Sequence, residues 1–381
     1  MTAALRADST ALDAVTTLMS ADGTDAGPTR RYVVLPHRDR PRYIVPVAAR
    51  FARAAHVRPG SGVRAAIART AVRSVLATGA GRVLPGRVDV VDGTDERPGL
   101  RRHLAALVGR DDVDLVLALG APRPNRKPVI QVVDGDGATV AWAKVGVDAH
   151  TDRLVGHETE ALGRVDPDGP IAVPRVVAAG AWQGHRLLLL APLRVEESLE
   201  PLDVTAAVVR AIAGPVASAP VSTGAWAATL AEQVRDDGAA RKVVTTVLGR
   251  LGGRTWAFGA WHGDLAPWNA TWEGDRLHVW DWERSTAPVP LGLDAVHNAF
   301  QQAALGGGDP VAAAAVAARG AAPTLHALGY DADDVVPVVW AYLATLRARY
   351  AEDARLGPLG PGERIAAAID RDPILGLEGP A

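Results

Sequence analysis

The sequence predicts an α+β fold in two unlike parts, a small antiparallel sheet followed by a mostly helical half. Two observations carry this. Three short apolar stretches separated by turns, 113–119, 129–133 and 138–145, stand ahead of an amphipathic helix. Beyond about residue 200 the periodic stretches have helical spacing, apart from one hairpin within residues 261–283.

Residues 1–29 are small and polar, with Ala-Asp-Gly-Thr-Asp-Ala-Gly-Pro at 21–28, and read as a loose tail with room for one short helix. Residues 30–112 read as an extension of mixed α and β. Strands are expected at 32–35 and 43–45, a helix at 63–76, a strand at 82–91 and a helix at 100–108. Gly79-Ala80-Gly81 follows the first of those helices and lacks a third glycine, so it reads as a helix stop rather than a dinucleotide fingerprint.

Asp134-Gly135-Asp136-Gly137 joins the second and third strands as a hairpin turn, since the rest of a calcium loop is absent. Lys144 lies on the third strand, on the face shared by Val140 and Trp142. In the helix expected at 151–165, Leu154, Val155, Ala161, Leu162 and Val165 form one apolar stripe. Glu158 falls inside that stripe and Glu160 on the opposite face. A carboxylate facing inward is costly unless it meets a cation, and Lys144 is the obvious one. The alternative is a lysine at a strand edge and a solvated glutamate.

A buried strand at 187–190 ends at Ala191-Pro192-Leu193. Helices are expected at 203–213, 224–236, 240–251, 294–304, 309–319 and about 333–350, with Pro337 tolerated near the start of the last.

Residues 261–283 hold the chemistry. Trp261-His262-Gly263-Asp264-Leu265-Ala266-Pro267-Trp268-Asn269 is followed by a spacer and then Asp281-Trp282-Glu283. The spacer reads as a hairpin with its turn at Glu273-Gly274-Asp275, folding Trp280 back beside Ala270. Asn269 and Asp281 are then expected at the open end, two oxygen ligands suited to a hard cation such as Mg2+. Asp264 would stand beside that cation as the base that takes a proton from an attacking hydroxyl. His278 and His297 read as surface or packed residues rather than ligands.

Composition narrows the alternatives. The chain of 381 residues is 48% hydrophobic and 22% charged with net charge −2, so nothing draws it to nucleic acid or anionic membrane. Cysteine is absent, which excludes disulfides, thiolate zinc sites and thiol nucleophiles. The lysines are Lys127, Lys144 and Lys242, none preceded by glycine, so a P-loop is excluded. No signal peptide is indicated in residues 1–30, and the alanine-rich 311–318 is too short to span a bilayer. A cytoplasmic location is the expectation.

The run from His262 to Asn269 resembles the catalytic loop of the aminoglycoside phosphotransferase family, the small-molecule branch of the protein-kinase-like fold. Protein kinases carry H-R-D-L-x-x-x-N there and a later D-F-G. Glycine at 263 replaces the arginine, and Asp281-Trp282-Glu283 stands for D-F-G. The resemblance implies a bilobal protein-kinase-like fold with an antiparallel-sheet N-lobe at 113–193 and a helical C-lobe at 194–381. It implies Asp264 as base, with His262 beside it in the catalytic loop as a further brace. Asn269 and Asp281 would be metal ligands, Lys144 and Glu158 would sit on the nucleotide phosphates, and Asp294 would brace the loop; a helix cap is the plainer reading of Asp294, and the two are compatible. ATP with Mg2+ would bind between the lobes, and a small-molecule hydroxyl such as that of a sugar, amino alcohol or aminoglycoside would accept the phosphoryl group. The loop 120–127 keeps one glycine, so Asn125, Arg126 or Lys127 would contribute to phosphate binding, or the loop is simply basic and solvated. Residues 191–193 correspond to the hinge that meets adenine. A lone acidic Glu283 hints at a cationic acceptor. The competing reading is a catalytically silent nucleotide-binding scaffold of the same fold.

Overall fold

The computed structural model describes residues 8–21, 27–48, 51, 85–166, 168–193, 200–304 and 307–378. The helix expected at 63–76, the glycines at 79–81 and the start of the strand at 82–91 lie outside the described residues. The chain divides into two compact units, one of residues 1–159 with 175–192, the other of 160–174 with 193–381.

The first unit is built on helix α1 (Asp8–Met19), strands β1 (Thr29–His37), β2 (Arg40–Pro46) and β3 (Arg87–Val91), and helix α2 (Leu100–Val108). Strands β4 (Val113–Ala118), β5 (Val129–Asp134) and β6 (Thr139–Val145) follow, then helix α3 (Ala149–Leu162). Past β7 (Ile171–Ala172), strands β8 (Val176–Trp182) and β9 (His185–Leu190) complete an eight-stranded sheet, ordered β3-β1-β2-β4-β5-β6-β9-β8. Every pairing in it is antiparallel. The expected β4-β5-β6 meander is therefore present, but the division between an extension at 30–112 and a lobe at 113–193 needs correction. β2 pairs directly with β4, Tyr43 opposite Ala118 and Ile44 opposite Leu117, so both segments share one sheet.

Alternation puts Tyr32, Val34, Ile44, Leu115, Leu117, Ile130 and Val132 on one face, under Val15 and Leu18 of α1 and Leu100 and Leu104 of α2. The tail reading of residues 1–29 is corrected here as well. Ala11, Val15 and Leu18 are fully buried, because α1 supplies the apolar cover that one sheet face needs. Polar ties reinforce the join: Tyr32 Oη donates to Asp114 Oδ1 at 2.6 Å, and Arg30 bridges Asp92 and Asp114 at 3.2 and 3.0 Å.

A bulge refines the placement of Lys144. Ala141 pairs with Val132 and Thr139 with Val133, which leaves Val140 unpaired and turned toward the same core as Ala141 and Ala143. Lys144 and Trp142 keep the opposite face, without Val140.

The second unit contains helices α4 (Ala206–Ala213), α5 (Ala225–Gln233) and α6 (Gly238–Leu251), then α7 (Leu293–Ala304), α8 (Pro310–Leu328), α9 (Ala332–Ala354) and α10 (Gly362–Arg371). Two small sheets accompany the helices, and apart from the hairpin β12-β13 their strands are absent from the sequence reading. β10 (Ala217–Pro220), β11 (Thr255–Trp261) and β14 (Thr286–Pro290) form a three-stranded sheet, while β12 (Ala270–Glu273), β13 (Arg276–Val279) and β7 form another. Helix α8 runs nine residues past the expected stop at 319, through Gly320 and Pro323. A Cβ at Gly320 would meet Ala299 Cβ of α7 at an ordinary contact distance of 3.4 Å, and the helix continues through this glycine. At 19 residues and mean hydropathy 1.2, α8 is long and apolar enough to cross a membrane by length and composition alone, which the shorter stretch 311–318 did not suggest. Its Ala313, Ala314, Ala317, Ala321 and Leu325 are buried inside the unit.

Candidate active site

In the first unit, β6 and α3 deliver the expected pair. Lys144 Nζ lies 2.7 and 2.6 Å from Glu158 Oε1 and Oε2, and Glu158 is 0% exposed. The start of α3 is fixed by Thr151, whose Oγ1 accepts from the backbone N–H groups of Val147 and Asp148 at 2.9 and 3.0 Å. Asp148 Oδ1 in turn accepts from Thr151 N at 2.8 Å. That cap sets the helix phase, which turns Glu158 inward and leaves Glu160 exposed.

The loop between β4 and β5 is not the open basic loop the sequence allowed. The Arg126 side chain is 0% exposed and pairs with Asp8 at 3.0 Å, while also donating to the carbonyls of Pro41 and Leu119 at 3.0 and 3.3 Å. It therefore clamps α1 and β2 and is withdrawn from phosphate binding. Lys127 is buried too, and Asn125 is half-buried. At the expected hinge, the Ala191 N–H is already spent on the Arg175 carbonyl at 2.8 Å, and Pro192 has none to offer.

In the second unit, β11 runs into the loop 262–269, β12 leaves it, and β14 returns beside β11. The two strands pair antiparallel, Phe258 opposite Pro290 and Trp261 opposite Thr286. Asp294, in the first turn of α7, ties the loop from below. Its Oδ2 accepts from His262 N at 2.8 Å and its Oδ1 from Gly263 N at 3.1 Å. Burial pushes the Asp294 carboxyl up to about 7 and the nearby charge of Asp264 adds to this, against the two N–H groups. The side chain points at the loop, so its role here is the brace rather than the helix cap.

His262 is fully buried and both ring nitrogens are occupied. Nδ1 lies 3.2 Å from Asp264 N, which donates to it, and Nε2 lies 3.1 Å from the Trp280 carbonyl. Burial lowers its pKa to about 4 despite the charges of Asp264 and Asp281, so the ring is neutral. His262 thus braces the loop, joining it to the hairpin, and does not belong with the catalytic residues, since it has no nitrogen left for a substrate. Gly263 has φ +81°, and a Cβ there would run into the Arg284 carbonyl, so this backbone requires glycine. Arg349 Nη1 donates to the Gly263 carbonyl at 2.6 Å.

Asp264 keeps an open face, its side chain 33% exposed. Asn269 Nδ2 donates to Asp264 Oδ2 and to the Asp264 carbonyl, both at 2.9 Å. His297 Nε2 stands 3.3 Å from Asp264 Oδ1. Burial alone would raise the Asp264 pKa, but the His297 contact and the positive charge of Arg349 outweigh it and hold the carboxyl below its usual value. Asp264 is therefore a carboxylate at neutral pH.

The hairpin forms as expected with a one-residue difference in register. Its loop is Gly274-Asp275, so Ala270 faces Val279 rather than Trp280, and Trp280 N donates to the Asn269 carbonyl at 3.0 Å. Asp281 lies one residue beyond, in the left-handed region at φ 68°, ψ 55°, and starts a 3-10 turn over Trp282–Arg284. Trp282 is buried against the His262 ring, centroids 4.7 Å apart, and Arg284 grips Asp353 at 3.1 and 2.9 Å. Glu283 is only 4% exposed and engaged within the protein, which removes the hint of a cationic acceptor.

No family model matches the chain, and no curated protein does. Among solved structures it is similar to a thermostable mutant of aminoglycoside phosphotransferase APH(4)-Ia, at 14% identity and TM-score 0.47, covering 71% of this chain and 98% of that one. It is also similar to a putative fructosamine-3-kinase from Haemophilus somnus 129PT, at 13% identity and TM-score 0.43, covering 71% and 96%. A third is amicoumacin kinase hAmiN, at 12% identity and TM-score 0.41, covering 70% and 90%.

Two contributors to the Asp264 environment were missed in the sequence, His297 and Arg349. His297 follows Asp294 by three residues on α7, so one helical turn carries both side chains toward the loop. That spacing was the available signal. Arg349 sits 85 positions from Asp264 and left none. A cavity of about 620 Å³ in this unit is walled by Trp226, Phe258, Trp282 and Pro288 and does not include Asp264, so cavity size does not mark the chemistry.

Proposed function

We propose that the protein is a phosphotransferase that moves the γ-phosphoryl group of ATP to a hydroxyl of a small molecule, with Asp264 as the base. The observation that carries this reading is the state of Asp264. Its loop is pinned by a buried carboxylate, its own carboxylate is ionised, and one face of it remains open. Such a group accepts a hydrogen bond from an acceptor hydroxyl, aligns it for in-line attack and takes its proton as transfer proceeds.

Lys144, held by Glu158, supplies the charge that binds nucleotide phosphates. With both Asn269 Nδ2 contacts spent on Asp264, Oδ1 is the atom that would meet a cation, and Asp281 adds a carboxylate just past the ribbon end. These are hard oxygen donors that fit Mg2+. Bound there, the ion would neutralise charge on the transferring phosphoryl group. The acceptor is a sugar, an amino alcohol or an aminoglycoside-like compound, and the place of action is the cytoplasm.

Replacing Asp264 by alanine should lower turnover by roughly two to four orders of magnitude with ATP binding retained. Consumption of ATP by D264A, measured across a panel of hydroxylated small molecules, tests this, and an unchanged rate would rule the assignment out.

A further inference from the structure

We infer that His297 and Tyr342 form a positioning pair behind Asp264, in which Tyr342 selects the imidazole tautomer and His297 Nε2–H steadies carboxylate oxygen Oδ1. The inference rests on Asp264 being the group that faces the acceptor hydroxyl.

The three side chains stand in series. Tyr342 Oη lies 3.2 Å from His297 Nδ1, and both side chains are 0% exposed. Burial raises the Tyr342 pKa far above the phenol range, so the hydroxyl keeps its proton and can donate it to Nδ1. Burial also lowers the His297 pKa, outweighing the pull of Asp264, so the ring is neutral and carries one N–H. With Nδ1 accepting, that hydrogen sits on Nε2. Nε2 lies 3.3 Å from Asp264 Oδ1, outside hydrogen-bond geometry, and makes no hydrogen bond among the described residues.

A histidine serving only as core filler would show a different arrangement. Trp261 and Tyr342 do pack edge-on to the ring at 6.4 and 5.7 Å, but a leucine could provide that contact. What the imidazole adds is a buried ring nitrogen beside a carboxylate whose second oxygen is already held by Asn269. The two oxygens are thus divided between an amide and a neutral imidazole. A neutral donor orients the carboxylate without cancelling its charge, whereas a lysine or arginine at the same place would pair with it. The 3.3 Å separation is long, as hydrogen bonds at such sites often are before substrate binds.

The test uses the full chain, ATP, Mg2+ and water as acceptor. H297L should lower kcat for ATP hydrolysis about 10- to 100-fold, the usual worth of an orienting partner, while KM for ATP changes less than about twofold. H297Q, which keeps an N–H at similar reach, should recover most of the loss, and Y342F should fall between them. A purely structural role would show no rescue by glutamine, and an unchanged kcat in H297L would overturn the pair. Imidazole 15N spectra give a readout that needs no activity: His297, identified by the signals lost in H297Q, should be the Nε2–H tautomer, and Y342F should mix the two forms. An Nδ1–H tautomer in the unaltered protein would overturn the inference. Should D264A hydrolyse ATP at the normal rate, the base assignment fails, and the spectra still decide the pair.

Discussion

At the scale of single residues, the loop is governed by two buried titratable groups whose pH effects oppose each other. Asp294 has its folded pKa raised to about 7, so it stabilises the fold when protonated, and that contribution is lost as pH rises from about 4 toward 7. His262 has its folded pKa lowered to about 4, so its contribution is complete above about 6.5 and is lost as pH falls toward 4. Across the shared window the two slopes cancel in part. D294N, which cannot titrate, should therefore gain stability relative to its own value at pH 4 more steeply than the unaltered protein as pH rises to 6.5. Urea unfolding at a series of pH values measures this, and parallel profiles would show that Asp294 has an ordinary pKa. Gly263 is the other residue whose identity matters strictly: alanine at φ +81° would push into the Arg284 carbonyl and displace Asp264 with the loop.

At the scale of elements, periodicity served well wherever a segment pairs with its chain neighbour. The hairpin β12-β13, the β4-β5-β6 meander and the inward turn of Glu158 are all local patterns, and all were legible. Helix α1 was allowed as one short helix in a loose tail, but its burial was not legible, because its small, polar-rich sequence has a weak stripe and gains stability only from the sheet face it covers. Leu18 is 0% exposed in that face, so Leu18→Ala should cost about 2–5 kcal/mol in chemical denaturation. A loose tail would lose almost nothing, so the same measurement tests the correction. Strands β10, β11 and β14 escaped for a related reason: they pair across long sequence separations, and β10 and β14 carry alanines and prolines that have no strong strand signature.

At the scale of the whole chain, the proposed activity predicts a ligand-linked stability. ATP with Mg2+ at one hundred times its dissociation constant should stabilise the folded state by about 2.7 kcal/mol, read as a rise in Tm. K144M should remove most of that shift by removing the phosphate-binding charge. Because Glu158 then loses its ammonium partner in a buried site, the double variant K144M/E158Q serves as the control that separates lost ligand binding from lost stability. A full shift in the double variant would exclude Lys144 from nucleotide binding.

The sequence by itself determined the α+β class, the antiparallel meander, the Lys144–Glu158 pair and the loop that holds Asp264, since each depends on spacing within a short stretch or on two adjoining elements. Tertiary structure decided the rest. It spread β1 and β2 into the same sheet as β4, drew Arg126 inward to Asp8, and gave both nitrogens of His262 to the backbone. It also set His297, Tyr342 and Arg349 around the open carboxylate. The physical reason is the same in each case: a buried polar group must find its partner wherever the fold brings one, and that partner leaves no trace at a fixed distance along the chain.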